Sequence, residues 1–215
     1  MKGAVFPWRD GNHFELLIDG PQFFPRMLAA IADAQEQVEL ELYLVEAGAC
    51  AEAMVRTLVE AAERGVRVRC LFDDYGSLAF TQALRLRLTT AGVELRFYNR
   101  LKWRQGFLNL YRDHRKLLLV DQSLAVVGGT GVTDEFWRPE DNSCDWHEVM
   151  VEIAGPAVLD ASSILDLYAP RGEISSGEAG IKPQGVVYLG ADTFVGQIEG
   201  SGNSVGAPPA PPPAG

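Results

Sequence analysis

Cysteine and histidine are scarce in this 215-residue chain, with three of each. Cys50, Cys70 and Cys144 are odd in number and none stands in CxxC spacing. That excludes a disulfide framework or a cysteine metal site and reads as reduced thiols in a cytoplasmic protein. A three-histidine metal site would need every histidine in the chain, so no metal and no other cofactor is expected. No apolar run approaches the roughly 18–20 residues of a membrane span. The start, Met1 to Trp8, is too short and too weakly apolar for a signal peptide. Positive charge is also in short supply: 19 Lys and Arg stand against 29 Asp and Glu, a formal charge of −10. That balance argues against a general nucleic-acid binder.

Apolar residues make up 47% of the chain, enough for a sizeable core. His13–Ile18 alternates apolar and polar residues and reads as a strand, followed by a turn at Asp19-Gly20-Pro21. Phe24, Met27, Leu28 and Ile31 recur at helical spacing over 22–34. Val38–Val45 alternates strictly, which predicts a strand with Glu39, Glu41 and Tyr43 on one face. The two glutamates read as a solvated or helix-paired face. Residues 51–64 form a helix with Met54, Val55, Leu58, Val59 and Ala62 as its buried stripe and Gly65 placed to end it. Val66–Phe72 is the next strand, with Asp73 and Asp74 at its carboxyl end as capping or turn residues, or as ligand-facing ones. Ser77 is the expected N-cap of a helix over 78–91 that ends at Gly92, and Val93–Tyr98 is a fourth strand. Alternation of strands and helices predicts an α/β fold, a parallel or mixed sheet with helices on its faces.

The chain is organised around residues 111–131. Leu117–Val120 and Leu124–Val127 read as two short strands joined by turn chemistry at Asp121-Gln122-Ser123, with Gly128, Gly129 and Gly131 beyond. Alternate residues of a strand share a face about 6.6–6.8 Å apart, so His114 and Lys116 point the same way and can reach one phosphate. Asp121 has the opposite parity and sits at the far end of the strand, away from the imidazole. The glycines leave room for a ligand to approach backbone N–H groups.

The spacing His114-x-Lys116-x4-Asp121-x6-Gly128-Gly129 resembles the HKD motif of the phospholipase D superfamily. The surrounding words, Arg112-Asp-His-Arg-Lys116 and Val127-Gly-Gly-Thr-Gly-Val-Thr-Asp-Glu-Phe136, resemble its bacterial cardiolipin synthase branch. Asp19-Gly20, residues 61–68, Asp73–Ser77 and Gly155–Asp160 resemble the same family, and the resemblance stops near Ala161. It implies a phospholipase D-like mixed β-sheet flanked by helices on both faces, in a domain over residues 1–168. It implies phosphatidyl transfer or phosphodiester cleavage through a phosphohistidine on His114, without a metal. Lys116 and Asp121 belong to the same catalytic motif, and Arg115 flanks the phosphate with Gly128, Gly129 and Gly131. The family's imidazole-orienting carboxylate falls on Asp145, on a strand expected over Cys144–Ile153. His147 reads as structural. Gly131 stands where many members have Asn, which leans toward the lipid branch.

Residues 96–116 interleave seven Lys and Arg with Phe, Tyr, Trp and Leu, and Asp113 is their only acid. Such a segment suits an anionic lipid surface met by Lys102, Trp103 and Arg104. That implies a peripheral position on the inner membrane. A loop folding back into the core and a nucleic-acid groove are the other readings. From Arg171 the composition shifts to ten Gly and six Pro in 45 residues, so 169–215 reads as a disordered tail. Longer members of the family carry a second HKD motif, and this chain has one. It therefore reads as a truncated or frame-shifted copy that needs a homodimer to complete its site. The alternatives are a single-motif homodimeric nuclease and an inactive half-enzyme remnant.

Overall fold

The computed structural model describes residues 9–100 and 112–159. In chain order the elements are β1 His13–Ile18, α1 Gly20–Asp33, β2 Gln37–Leu42, α2 Ala49–Glu63, β3 Arg67–Asp73, α3 Gln82–Thr90, β4 Glu94–Tyr98, β5 Leu117–Val120, β6 Leu124–Gly128 and β7 Val149–Ala154. All ten belong to one compact unit of residues 11–180, and of the remaining chain only Arg9 and Asp10 are described.

The seven strands form one mixed sheet in the order β1-β7-β6-β5-β2-β3-β4. β2, β3 and β4 are parallel, and every other pairing is antiparallel. Parallel neighbours need crossover helices, and right-handed crossovers in one direction put those helices on one side. Accordingly α1, α2 and α3 bury Phe23, Phe24, Met27, Ile31, Met54, Leu58, Leu84 and Leu88 in a single core with Val38, Leu40, Leu42, Val68, Cys70, Phe72, Leu118 and Val126. The three described helices therefore share one face of the sheet. On the opposite face β2, β3 and β4 carry charge, with Glu39 on Arg69 and Arg96 on Glu94 as ion pairs. The expected solvated Glu39 and Glu41 are instead buried, at 2% and 0% exposure.

Local chemistry explains the boundaries. Gly65 and Gly92 follow α2 and α3 at φ +91° and +87°, the left-handed C′ position that glycine adopts without steric cost. The N-cap of α3 is Thr81, whose hydroxyl accepts from the Leu84 N–H, and not Ser77. Ser77 is buried and its hydroxyl donates to the Asp73 carbonyl. β5 is the middle strand of seven and all four of its residues are buried, which is why Leu-Leu-Leu-Val reads as a continuous apolar run. Asp121 and Gln122 lie at φ +49° and +54°, the two left-handed centres of a type I′ hairpin turn between β5 and β6. Cys50 and Cys70 are buried and free, and Cys144 is free and half-buried.

Candidate active site

Antiparallel pairing of β5 to β2 places the start of β5 beside the carboxyl ends of β2 and β3. The end of β6 and the starts of β7 and of α1 come to the same rim. His114 and Lys116, Tyr43, Asp73, Gly128–Gly131, Glu148 and Asp19 therefore converge from six separate stretches of chain.

His114 and Lys116 are brought together as the alternation predicted. The Lys116 ammonium is 2.8 Å from His114 Nδ1, 3.2 Å from Nε2 and 2.8 Å from the His114 carbonyl. The Tyr43 ring packs 4.5 Å from the imidazole, centroid to centroid, and 5.3 Å from the Lys116 ammonium. Burial and then the Lys116 charge hold the imidazole below its ordinary 6.5, against the opposite pull of Asp113 and Asp73. Burial likewise pushes the Lys116 ammonium down to about 8, with Glu148 and Asp113 opposing. At neutral pH the site thus holds a neutral imidazole against a charged ammonium, a nucleophile beside an anion-stabilising group.

Three other expected residues stand elsewhere in the geometry. The Asp121 carboxylate accepts the N–H groups of Gln35, Glu36 and Gln37 at 2.8–2.9 Å. It ties the α1–β2 turn to the far end of β5, away from His114. Burial opposes its ionisation, but those three donors outweigh it and keep the carboxyl below its usual range. Arg115 does not flank the pocket of His114. Its parity is opposite, and its guanidinium turns inward onto both oxygens of Asp113 and onto Glu41. Asp145 is held by both guanidinium nitrogens of Arg138 at 2.7 Å each and is exposed. Its expected strand begins four residues later, at Val149.

The carboxylate at the mouth of β7 is Glu148, which the sequence reading passed over. Its carboxylate oxygen lies where a Cβ on Gly129 would be, 2.2 Å away, and its charge acts on Lys116. The signal was present: Val149-Met-Val-Glu-Ile153 is the mostly apolar run that forms the strand, and Glu148 stands immediately before it. Asp19, at φ +64°, accepts from the Glu148 N–H at 3.1 Å and meets His147 Nδ1 at 2.9 Å. The His147 side chain is 94% exposed. The glycines serve close packing of protein on protein. A Cβ on Gly128 would strike the Met150 sulfur and the Val149 carbonyl, and one on Gly131 would press on Leu44. Asp73, wholly buried, accepts from the N–H groups of Tyr75, Gly76 and Asp113 and pairs with Arg112. Lys102, Trp103 and Arg104 lie outside the described residues. Among the described residues no cluster of His, Cys, Asp and Glu fits a metal ion, and no helix is long and apolar enough to cross a membrane.

Known proteins resemble the chain in sequence and in fold. Residues 27–162 match the family described as cardiolipin synthase, PLD-like domain. Cardiolipin synthase B of Salmonella typhi is 34% identical over 155 residues, which are 71% of this chain and 37% of that protein. Cardiolipin synthase A of Pseudomonas putida strain W619 is 33% identical over 165 residues, 75% of this chain and 34% of that one. The chain thus spans little more than a third of the length of these relatives. In fold it resembles Nuc, a phospholipase D family member from Salmonella typhimurium, at a TM-score of 0.53 and 20% identity, over 74% of this chain and 92% of Nuc. It likewise resembles NucT from Helicobacter pylori at 0.56 and 14%, over 73% and 95%. At those identities the likeness speaks for the fold alone. The family match over more than half the chain, with the His114–Lys116 pair at the rim of a mixed sheet, places this protein in the cardiolipin synthase, PLD-like domain family.

Proposed function

We propose that this chain supplies one half of a two-histidine phosphodiester-transfer site that acts on anionic phospholipid, completed by a second copy. One arrangement carries the proposal: a neutral His114 imidazole held within 2.8–3.2 Å of the Lys116 ammonium. A ring nitrogen of His114 attacks phosphorus and an N–P bond forms. The P–O bond to the departing alcohol breaks, and the alkoxide takes a proton from the second copy's His114, which enters as imidazolium, the two imidazoles carrying one proton between them. An acceptor alcohol or water then attacks, giving its proton back to that second imidazole, and the N–P bond breaks. Lys116 offsets the charge that builds on the equatorial phosphoryl oxygens. Glu148 beside Lys116 takes the orienting part first assigned to Asp145. No residue of the described chain is asked to hold a metal.

The cardiolipin synthase relatives support a phospholipid substrate, and so does the charge of −10, which disfavours a nucleic-acid polyanion. Contact with the lipid surface, and with it a peripheral membrane position, is assigned to Lys102, Trp103 and Arg104. The test is turnover of phosphatidylglycerol vesicles by the purified chain. Wild type is expected to release or transfer headgroup, and to trap a labelled phosphoenzyme on acid quench. H114A is expected to lose both. Turnover that survives H114A overturns the proposal. Cleavage of DNA that weakens steeply with salt, without lipid turnover, favours the nuclease reading.

A further inference from the structure

Glu41 has no part in the reaction just described, yet it is a wholly buried acid of the sheet. β2 alternates, so Val38, Leu40 and Leu42 enter the helix-side core while Glu39 and Glu41 leave on the other face. The register sets Glu41 between Leu71 of β3 and Leu117 of β5. Its lateral neighbours are therefore apolar, and it is 0% exposed. The Arg115 guanidinium reaches it from the loop before β5. That same guanidinium holds Asp113 through Nε–Oδ1 at 2.9 Å and Nη2–Oδ2 at 3.0 Å. The Glu41 and Asp113 carboxyls thus meet on the same Nη2 of Arg115. Neither Glu41 oxygen has a hydrogen-bond partner, and its contact with Arg115 is an ion pair.

Counting charge decides the protonation. Two carboxylates share one guanidinium in a largely buried site. Among the described residues, the other charged groups on this face are Glu39 with Arg69, Glu94 with Arg96, Asp73 with Arg112, and Arg67 on the Gln37 side-chain oxygen. With both acids ionised the set carries a net negative charge among leucines, which burial disfavours. One proton between the two carboxyls makes the set neutral and supplies the missing donor. Burial, then the contact with Asp113, raises the Glu41 carboxyl well above its usual range. Asp113 falls: burial works against it, but the bonds from Glu41 and Arg115 outweigh that. Arg115 already holds both Asp113 oxygens, which favours the carboxylate there, so the proton is placed on Glu41 and faces Asp113.

His114 stands between Asp113 and Arg115 in the chain, so this set grips both of its neighbours. Asp113 is further fixed by its N–H donating to Asp73 at 3.0 Å. We propose that Glu41 is a positioning residue for the His114 nucleophile: as a neutral acid bonded to Asp113 and to Arg115, it fixes the backbone on either side of His114 and so the aim of the imidazole. The kinetic consequence rests on the proposed function, and the structural one does not.

The experiment compares full-length wild type, E41Q and E41L. Gln keeps the shape, the donor and the neutrality of the protonated acid; Leu keeps the bulk and removes the hydrogen bonds. Three readouts are taken: kcat and KM on phosphatidylglycerol vesicles, the NMR titration of the His114 imidazole (assigned by its loss in H114A), and the infrared carbonyl band of a protonated carboxylic acid at neutral pH. E41L is expected to lose about 100-fold in kcat from a misplaced nucleophile, with KM changed by less than about twofold, and to shift the His114 titration. E41Q is expected to recover kcat to within about threefold of wild type. The carboxylic-acid band is expected in wild type and absent from both variants. Three results would overturn the proposal: E41L with unchanged kcat and an unchanged His114 titration, E41Q as impaired as E41L, or wild type without the band. If E41L fails to fold, the infrared band and the E41Q titration still decide. If wild type turns over no phospholipid, the proposed function fails while the titration and the band judge Glu41 independently.

Discussion

His114 and Lys116 titrate in opposite functional senses although burial lowers both. The imidazole attacks only when neutral, and its pKa lies below 6.5, so activity should rise through that acid limb. The ammonium helps only when charged, and its pKa lies at about 8, so activity should fall through that alkaline limb. The second copy's His114 must meanwhile keep its proton as general acid, so the expected kcat/KM profile is a bell, measured on phosphatidylglycerol vesicles across pH. K116R should lower the plateau and leave an alkaline limb set by the second copy's His114 alone, since guanidinium keeps its proton. Asp121 predicts a different signature. D121A leaves three backbone N–H groups without their acceptor and should cost about 1–3 kcal/mol of stability by urea unfolding. Its folded pKa is depressed below 3.8, so its stabilisation is present above that value and is lost as pH falls through the folded pKa. The same variant should leave the His114 titration where it is in wild type, because Asp121 sits at the other end of β5.

Among helices and loops, the strongest dependence on distant chain is at the start of α2. Its N-cap is Gly48, which offers no side chain. The cap comes from 85 residues away: Asp134 accepts from the Cys50 N–H at 2.8 Å and the Ala49 N–H at 3.2 Å. D134A should therefore destabilise the protein by about 0.5–2 kcal/mol, read by thermal or urea unfolding. Backbone at this point also explains Gly131, since the Val45–Val132 bridge and the Glu46 N–H to Val132 carbonyl bond draw the loop onto Leu44. G131V should lower stability through that overlap, and loss of activity in it would follow from displaced backbone between β6 and β7.

For the molecule as a whole, the proposed second copy makes activity a matter of concentration. A dimer that dissociates on dilution loses specific activity, whereas a site complete in one chain does not. Light scattering on the purified protein should give a dimer, and specific activity should fall when the protein is diluted through the dissociation range. A monomer with undiminished specific activity contradicts the need for a second copy. The apolar side chains Leu16, Ile18, Trp146 and Val149 are exposed near the rim that carries Glu148. Exposed apolar groups of that size make aggregation the competing outcome of the scattering measurement.

Much of this was legible along the chain because it depends on local periodicity. Two-residue alternation placed His114 and Lys116 together and named β2 and β3, turn residues between two apolar runs named the β5–β6 hairpin, and Gly65 and Gly92 marked the ends of α2 and α3. Strand parity also predicted that Asp121 would stand away from the imidazole, and it does. Other features depended on pairing that no local pattern carries. β7 begins at Val149 because that is where β6 and β1 meet it, so Glu148, and not Asp145, reaches the rim. Arg115 turns inward because two buried acids on the sheet's far face need a cation, and Glu41 looked like a solvated residue until both of its neighbouring strands were leucine. Alternation says which residues share a face; only the assembled sheet decides whether that face meets water, a helix or another charge.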